Sequence, residues 1–296
     1  MTVVAESAAT QKSRRAVNPG VIVGGAIVVI LAVIFFVGGK DQGLVGQAIV
    51  SGLLLGGVYA LISVGLTLIF GVLGIVNFAQ GAMLTLSMYI VYALSTAGLP
   101  VYVATLLAVP VMFVFGMIVQ ATLLTKLTVG GSHEGPLLVT LGLSLLIINV
   151  LLMVFGGRPK SVEAPVDGSI SILGTVAAWP RVLAFVGAAL VAIALKSVLD
   201  RTRLGLSIRA VASNSEGAKL VGVDIGRVYA LTFGIGAACV AVAGGLMTPF
   251  TSLTPSVGEQ FTILAFVIVV LGGLGSVVGA MVGGIVIGLV QTVGAL

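Results

Sequence analysis

The sequence predicts an all-α integral membrane protein, a polytopic helical bundle of about eight transmembrane segments with glycine-rich broken helices. Three observations lead there. Only 8% of the 296 residues are charged and 59% are hydrophobic, with a mean hydropathy of +1.28. A soluble domain carries about three times that charge, and this chain has too little to cover its apolar side chains in water. The apolar residues also fall in runs long enough to cross a hydrocarbon layer. Finally, glycine supplies 42 residues, about twice its usual share. In membrane helices glycine permits close backbone approach and helix breaks. The same figures exclude a soluble enzyme, a disordered regulator and a nucleic-acid partner. The net charge of +5 fits basic cytoplasmic loops.

Residues 1–19 read as a cytoplasmic basic tail with Lys12, Arg14 and Arg15, and residues 20–296 as one transmembrane domain. The run Val21 to Val37 is longer than a signal-peptide core, and Lys40 and Asp41 follow it in place of a cleavage site, so it reads as an uncleaved first span. From Gln42 to Thr125 no acidic or basic side chain occurs. Breaks divide this stretch into spans at Leu44–Phe70, Phe78–Leu94 and Val101–Leu124. Pro110 should kink the last of these. Lys126 to Pro136 is a polar loop, Leu137–Phe155 the fifth span, and Gly156–Pro180 a longer loop of mixed charge. Arg181–Leu199 is the sixth span and Tyr229–Met247 the seventh. Phe261–Leu271 and Val277–Val293 are two apolar halves around Gly272-Gly273-Leu274-Gly275-Ser276. They form either one long broken helix or a re-entrant pair.

Charge sets the orientation. With the basic N-terminus in the cytoplasm, six crossings return residues 200–227 to the cytoplasm, and that loop holds the largest basic cluster of the body. The core of each span lacks Asp, Glu, Lys, Arg and His, so an intramembrane proton relay has no members. Glu259 is the nearest case and is expected at a helix start on the outer side. Cys239 reads as a small buried thiol and His133 as a loop residue. No nucleophile–base pair, HExxH or GxxxxGK[ST] is present, so neither catalysis nor ATP binding by this chain is expected. Any energy source for transport must enter through a partner, and the structured loop 200–227 is the natural docking point. There Ile208, Val211, Ala212, Ser215, Ala218 and Gly222 recur near helical spacing, predicting a short amphipathic helix whose small face seats in a partner's groove. Arg209, Asn214, Glu216 and Lys219 lie around it.

At this loop the chain resembles a known family. Glu216-Gly217-Ala218-Lys219-Leu220-Val221-Gly222 is similar to the E-x-A-x-x-x-G coupling loop of ABC importer permeases, with Gly217 where Ala is usual. The segment Asn77-Phe78-Ala79-Gln80-Gly81-Ala82 resembles the N-[FM]-A-H-G-E core of branched-chain amino-acid permeases, with Gln80 and Ala82 in place of its His and Glu. Val270-Leu271-Gly272-Gly273-Leu274-Gly275-Ser276 with Gly279-Ala280, and Thr140-Leu141-Gly142-Leu143-Ser144, fit the same LivH-like family. The match runs from about residue 43 to the C-terminus, and such permeases usually continue through another apolar segment.

The resemblance implies an inner-membrane importer that moves amino acids. Its partners would be a second related permease, two ABC ATPase subunits and an external substrate-binding protein. ATP would be bound by the partners, and no cofactor or metal by this chain. Arg209, Asn214, Glu216, Ala218, Leu220 and Gly222 are the expected coupling residues. Helix breaks are expected at Gly71, Gly74, Gly81, Gly272, Gly273 and Gly275. Asn77, Gln80, Thr140 and Ser144 either line the path or hold the breaks by interhelical hydrogen bonds. A urea or short-amide permease and a passive facilitator are the alternative readings.

Overall fold

The computed structural model of the protein describes residues 42–125, 134–164, 166, 168–172 and 175–296. The expected tail, the first span at Val21–Val37 and His133 lie outside the described residues. In chain order the helices are α1 (Gln42–Leu73), α2 (Gln80–Thr96) and α3 (Val101–Val119), the last continued by a π-helical turn (Gln120–Leu124), and then α4 (Glu134–Phe155). An antiparallel hairpin, β1 (Ser169–Ile172) and β2 (Thr175–Ala178), comes next. It is followed by α5 (Trp179–Arg201), α6 (Arg203–Ser213), α7 (Ser215–Leu220), α8 (Ile225–Met247), α9 (Glu259–Gly272) and α10 (Val277–Val293).

The apolar runs become helices because each must satisfy its backbone internally in lipid. Among the described residues, α1, α3 with its π turn, α4, α5 and α8 are long and apolar enough to cross a membrane. Between the two halves around Gly272–Ser276 the chain bends sharply, so that α9 and α10 differ in direction by 120°. At 14 residues, α9 is ~21 Å long, short of the ~30 Å hydrocarbon core. Pro110 sits inside α3 without ending it, and the departure from α geometry comes at Gln120 instead. The loop expected over 156–180 contains the β-hairpin. Gln47 of α1 clamps it: its Nε2 donates to the Val176 carbonyl (2.8 Å) and its Oε1 accepts from Val176 N–H (3.1 Å).

Helix α1 is the axis of the bundle, and α10, α8, α5 and α9 all pack on it. Its hairpin end carries Gln47, and its other end meets α6. The α1–α10 crossing is built from small residues. A Cβ on Gly288 would lie 2.5 Å from the Gly56 Cα, and one on Gly56 would lie 2.8 Å from the Ile285 Cα. Such contact is available only where side chains are absent. By contrast, α3 and α4 show outward rows of Leu106, Val111 and Ile118, and of Leu138, Leu145 and Met153. These largely apolar faces, with Asn149 and Thr122 bonded back to their own helices, suit acyl chains.

Candidate transport pathway and coupling surface

The first site lies where two helices begin inside the bundle. After α1 ends at Leu73, Gly74 turns the chain with φ +69° and residues 74–79 run irregularly to α2. Buried backbone of this kind needs partners, and the polar side chains of the segment supply them. Asn77 Oδ1 accepts from Ala79 N–H (3.0 Å), and its Nδ2 donates to Gln80 Oε1 (3.1 Å). Gln80 Nε2 donates to the Ile62 carbonyl in the middle of α1 (3.1 Å). Thr140 Oγ1 accepts from Phe78 N–H (3.2 Å), tying the break to α4. Asn77, Gln80 and Thr140 are completely buried within the subunit. Ser144, one turn further along α4, is half-buried.

The glycines separate into two kinds. Gly74, Gly273 and Gly275 hold positive φ of 69°, 90° and 86° and turn the chain. Gly71, Gly81 and Gly272 lie in helices and provide close approach. Gly71 meets Gly275 backbone, Gly272 meets Gly279, and Gly81 meets Gly258 so closely that a Cβ on either would overlap the other's carbonyl. Around that last contact, Gly81 N–H donates to Thr262 Oγ1 (3.0 Å) and Gly258 N–H to Thr85 Oγ1 (2.9 Å). Thr85, Gly258 and Thr262 were not legible as site residues from the sequence. The only trace was two helical threonines beside glycine, and nothing in the order of residues pairs them across the chain. Glu259 begins a helix, as expected, but that helix start packs against α2 at the level of Gly81 and Thr85 rather than at the outer end of the bundle.

The second site is the loop at the opposite end. One amphipathic helix was expected; there are two, with Asn214 between them. Asn214 leaves α6 with φ −155° and caps α7, its Oδ1 accepting from Gly217 N–H at 2.9 Å. Such caps contribute ~1 kcal/mol. The predicted small face divides: Ala212 and Gly222 are exposed and Ser215 is half-buried, while the other three residues turn inward. Ile208, Val211 and Ala218 are 2%, 3% and 4% exposed and join the bundle's own core. Periodicity identifies an apolar face without saying what covers it, and here the transmembrane body does. What projects instead is the tip of α7, where Leu220 and Val221 are 89% and 79% exposed. Gly222, at φ +86°, closes that tip. Its N–H donates to the Lys219 carbonyl (3.1 Å) and that of Val223 to the Ala218 carbonyl (3.0 Å), the paired bonds of a Schellman turn. Glu216 sits in the first turn of α7, where its charge suits the helix dipole.

Between the two sites lies a cavity of about 290 Å³, lined by Thr67, Gly71, Asp200, Arg209, Ala212 and Ser276 among others. Asp200 pairs with Lys196 (2.9 Å) and Arg209 (3.7 Å), while Arg209 also donates to the Leu199 carbonyl. The α6 helix therefore borders the same space as the end of α1 and the α9–α10 turn.

Helices that begin inside the bundle, a hydrogen-bonded polar seam and an exposed helical tip at one end define a multi-pass membrane transport subunit. The chain belongs to the family described as the branched-chain amino acid transport system permease component, whose model matches residues 48–296. It is similar to the high-affinity branched-chain amino acid transport system permease protein BraD of Pseudomonas aeruginosa, 32% identical over 264 residues, 84% of this chain and 86% of the relative. LivH of Escherichia coli K12 is 29% identical over 260 residues, 83% and 84% of the two chains. The probable LivH of Methanocaldococcus jannaschii is 29% identical over 273 residues, 86% and 81%. No solved structure matches the chain.

Proposed function

We propose that this chain is the permease subunit of an ATP-binding-cassette importer that brings branched-chain or other hydrophobic amino acids across the bacterial cytoplasmic membrane. Family membership supports the cargo class. The observation that carries the coupling role is the α7 tip: Leu220 and Val221 stand almost fully exposed on a helix fixed by the Asn214 cap and the Gly222 turn. An exposed apolar pair on a rigid short helix fits a partner's groove. In this reading one of two ATPase subunits takes that tip in the cytoplasm, with the N-terminus on the same side. The ATPases bind the ATP, and the chain itself has no catalytic role. A second related permease completes the passage, and an external binding protein delivers the amino acid at the hairpin end.

Power then reaches the passage through packing. Closure of the ATPases displaces α7 and the α6 helix joined to it. Because Ile208 and Arg209 border the cavity shared with Gly71 and Gly275, the displacement bears on the end of α1 and the α9–α10 turn. ATP thus biases a two-state equilibrium through differential contacts at one helix. Affinity purification in mild detergent tests the reading. An ATPase and a second permease should co-purify in near-equal yield with the wild type, and Leu220→Asp should lose the ATPase while retaining the permease. Wild type isolated as a homo-oligomer without an ATPase would refute it.

A further inference from the structure

Glu259 stands at a depth where the sequence gives no reason to expect charge. Phe261, two residues on, packs its ring 6.0 Å from that of Tyr59. Tyr59 lies on α1 midway between Gln47 at the hairpin clamp and Gly71 at the cavity, each ~18 Å away along the helix. The contacts of Gly258 with Gly81 and Thr85 fix the same level on α2. Glu259 therefore lies near the middle of the bundle's long axis.

Two further observations concern its surroundings. Among the described residues, α9 packs chiefly on α1, α2 and α10, and none of these contains Asp, Glu, Lys, Arg or His. Among the described residues Glu259 has no ion-pair partner. Its side chain is also exposed, as are Ser252, Ser256 and Gln260. These four form a polar stretch of chain that runs from the loop after α8 into the first turn of α9. Lipid cannot cover such a stretch, because an ionised carboxylate and irregular backbone at this depth require water or protein. The apolar outer rows of α3 and α4 show what a lipid face looks like in this subunit.

The geometry points to Glu259 as a cargo contact, the anionic side chain that takes the protonated amino group of a transported amino acid at mid-membrane. Among the described residues, none of the helices on which α9 chiefly packs carries a counter-charge, so the carboxylate is open to one brought by the cargo. An ammonium group offers three donors to a carboxylate, and a charge-assisted bond of that kind is strong where water is scarce. The polar stretch supplies wet surroundings at that point. This inference rests on the amino-acid reading of the cargo proposed above.

The test uses the complete importer in proteoliposomes, with leucine as the probe. Glu259→Gln keeps the shape and removes the charge. Leucine uptake should fall about tenfold, the size of one lost charge-assisted contact, with the complex and the binding protein's leucine affinity unchanged. Cys239 is buried, so Glu259→Cys introduces the accessible thiol. It should react with a membrane-impermeant cationic methanethiosulfonate, and more slowly when leucine-loaded binding protein is present. Unchanged uptake by Glu259→Gln, or a Glu259→Cys thiol shielded in every nucleotide state, would overturn the assignment. Dissociation of the two permeases by Glu259→Gln would also overturn it, in favour of a fixed ion pair with the partner chain. If wild type moves no leucine, the cargo reading itself fails, which is distinct from a loss confined to the variants.

Discussion

Replacing Gly288 by alanine adds one methyl group to the α1–α10 crossing. The new carbon would lie 2.5 Å from both the Gly56 Cα and the Gly52 carbonyl oxygen, and 2.6 Å from the Gly56 nitrogen. All three atoms are backbone, so no rotamer change can relieve the overlap. The helices must part by about 1 Å for the carbons to reach the ~3.5 Å at which they rest in contact. Overpacking of that size costs about 1–3 kcal/mol. Alanine also favours a helix by up to ~1 kcal/mol over glycine, and a control must remove that gain. Gly142 serves, because a Cβ there meets nothing within 4 Å. Unfolding by added SDS in mixed micelles, followed through the single Trp, compares the variants. Gly288→Ala should be less stable than Gly142→Ala by about 1–3 kcal/mol. Equal stability of the two would refute the close crossing and the role given to glycine in it.

Asn77→Ala leaves Ala79 N–H and Gln80 Oε1 short of a partner in a dry interior, and should cost about 1–3 kcal/mol in the same assay. Ala82 is 2% exposed, so Ala82→Glu, which restores the family's usual residue, buries a carboxylate among helices with no cation to meet it. That variant should express poorly or unfold at least 3 kcal/mol earlier, within the range of uncompensated buried charges. Gly222→Ala forces a Cβ into a left-handed conformation at a cost of about 1–2 kcal/mol. Membrane insertion should hold while ATP-driven uptake falls, and Gly222→Leu should abolish it. Normal uptake by Gly222→Leu would remove the α7 turn from the coupling pathway.

Five spans were legible because lipid admits few solutions: a long apolar run must become a helix, and charge marks its ends. Phe78–Leu94, expected as a further span, is instead the 17-residue α2 that begins inside the bundle. Gly273 and Gly275 were legible as breaks because clustered glycine has few other uses in a membrane helix. The direction of the Ile208–Ala218 face was not legible. Its periodicity is the same whether a partner or the subunit's own body covers it, and only the packing decides. The hairpin at Ser169–Ala178 was hidden because two four-residue strands carry little pattern, and Gln47, which holds them, lies far away in sequence. The depth of Glu259 was hidden for a related reason. Hydropathy orders residues along the chain, whereas depth here comes from Gly258 meeting Gly81 and Phe261 meeting Tyr59.

The shortness of α9 has a consequence for how the protein is made. A segment of ~21 Å that starts at mid-depth cannot be placed by its own hydropathy as a through span. Its position is set by Gly81 and Thr85, and Thr85 leaves the ribosome 173 residues before Gly258. The groove on α2 therefore waits, unfilled, through the synthesis of α3 to α8. The Gly81–Gly258 contact at the subunit's centre thus forms only once α9 has been made.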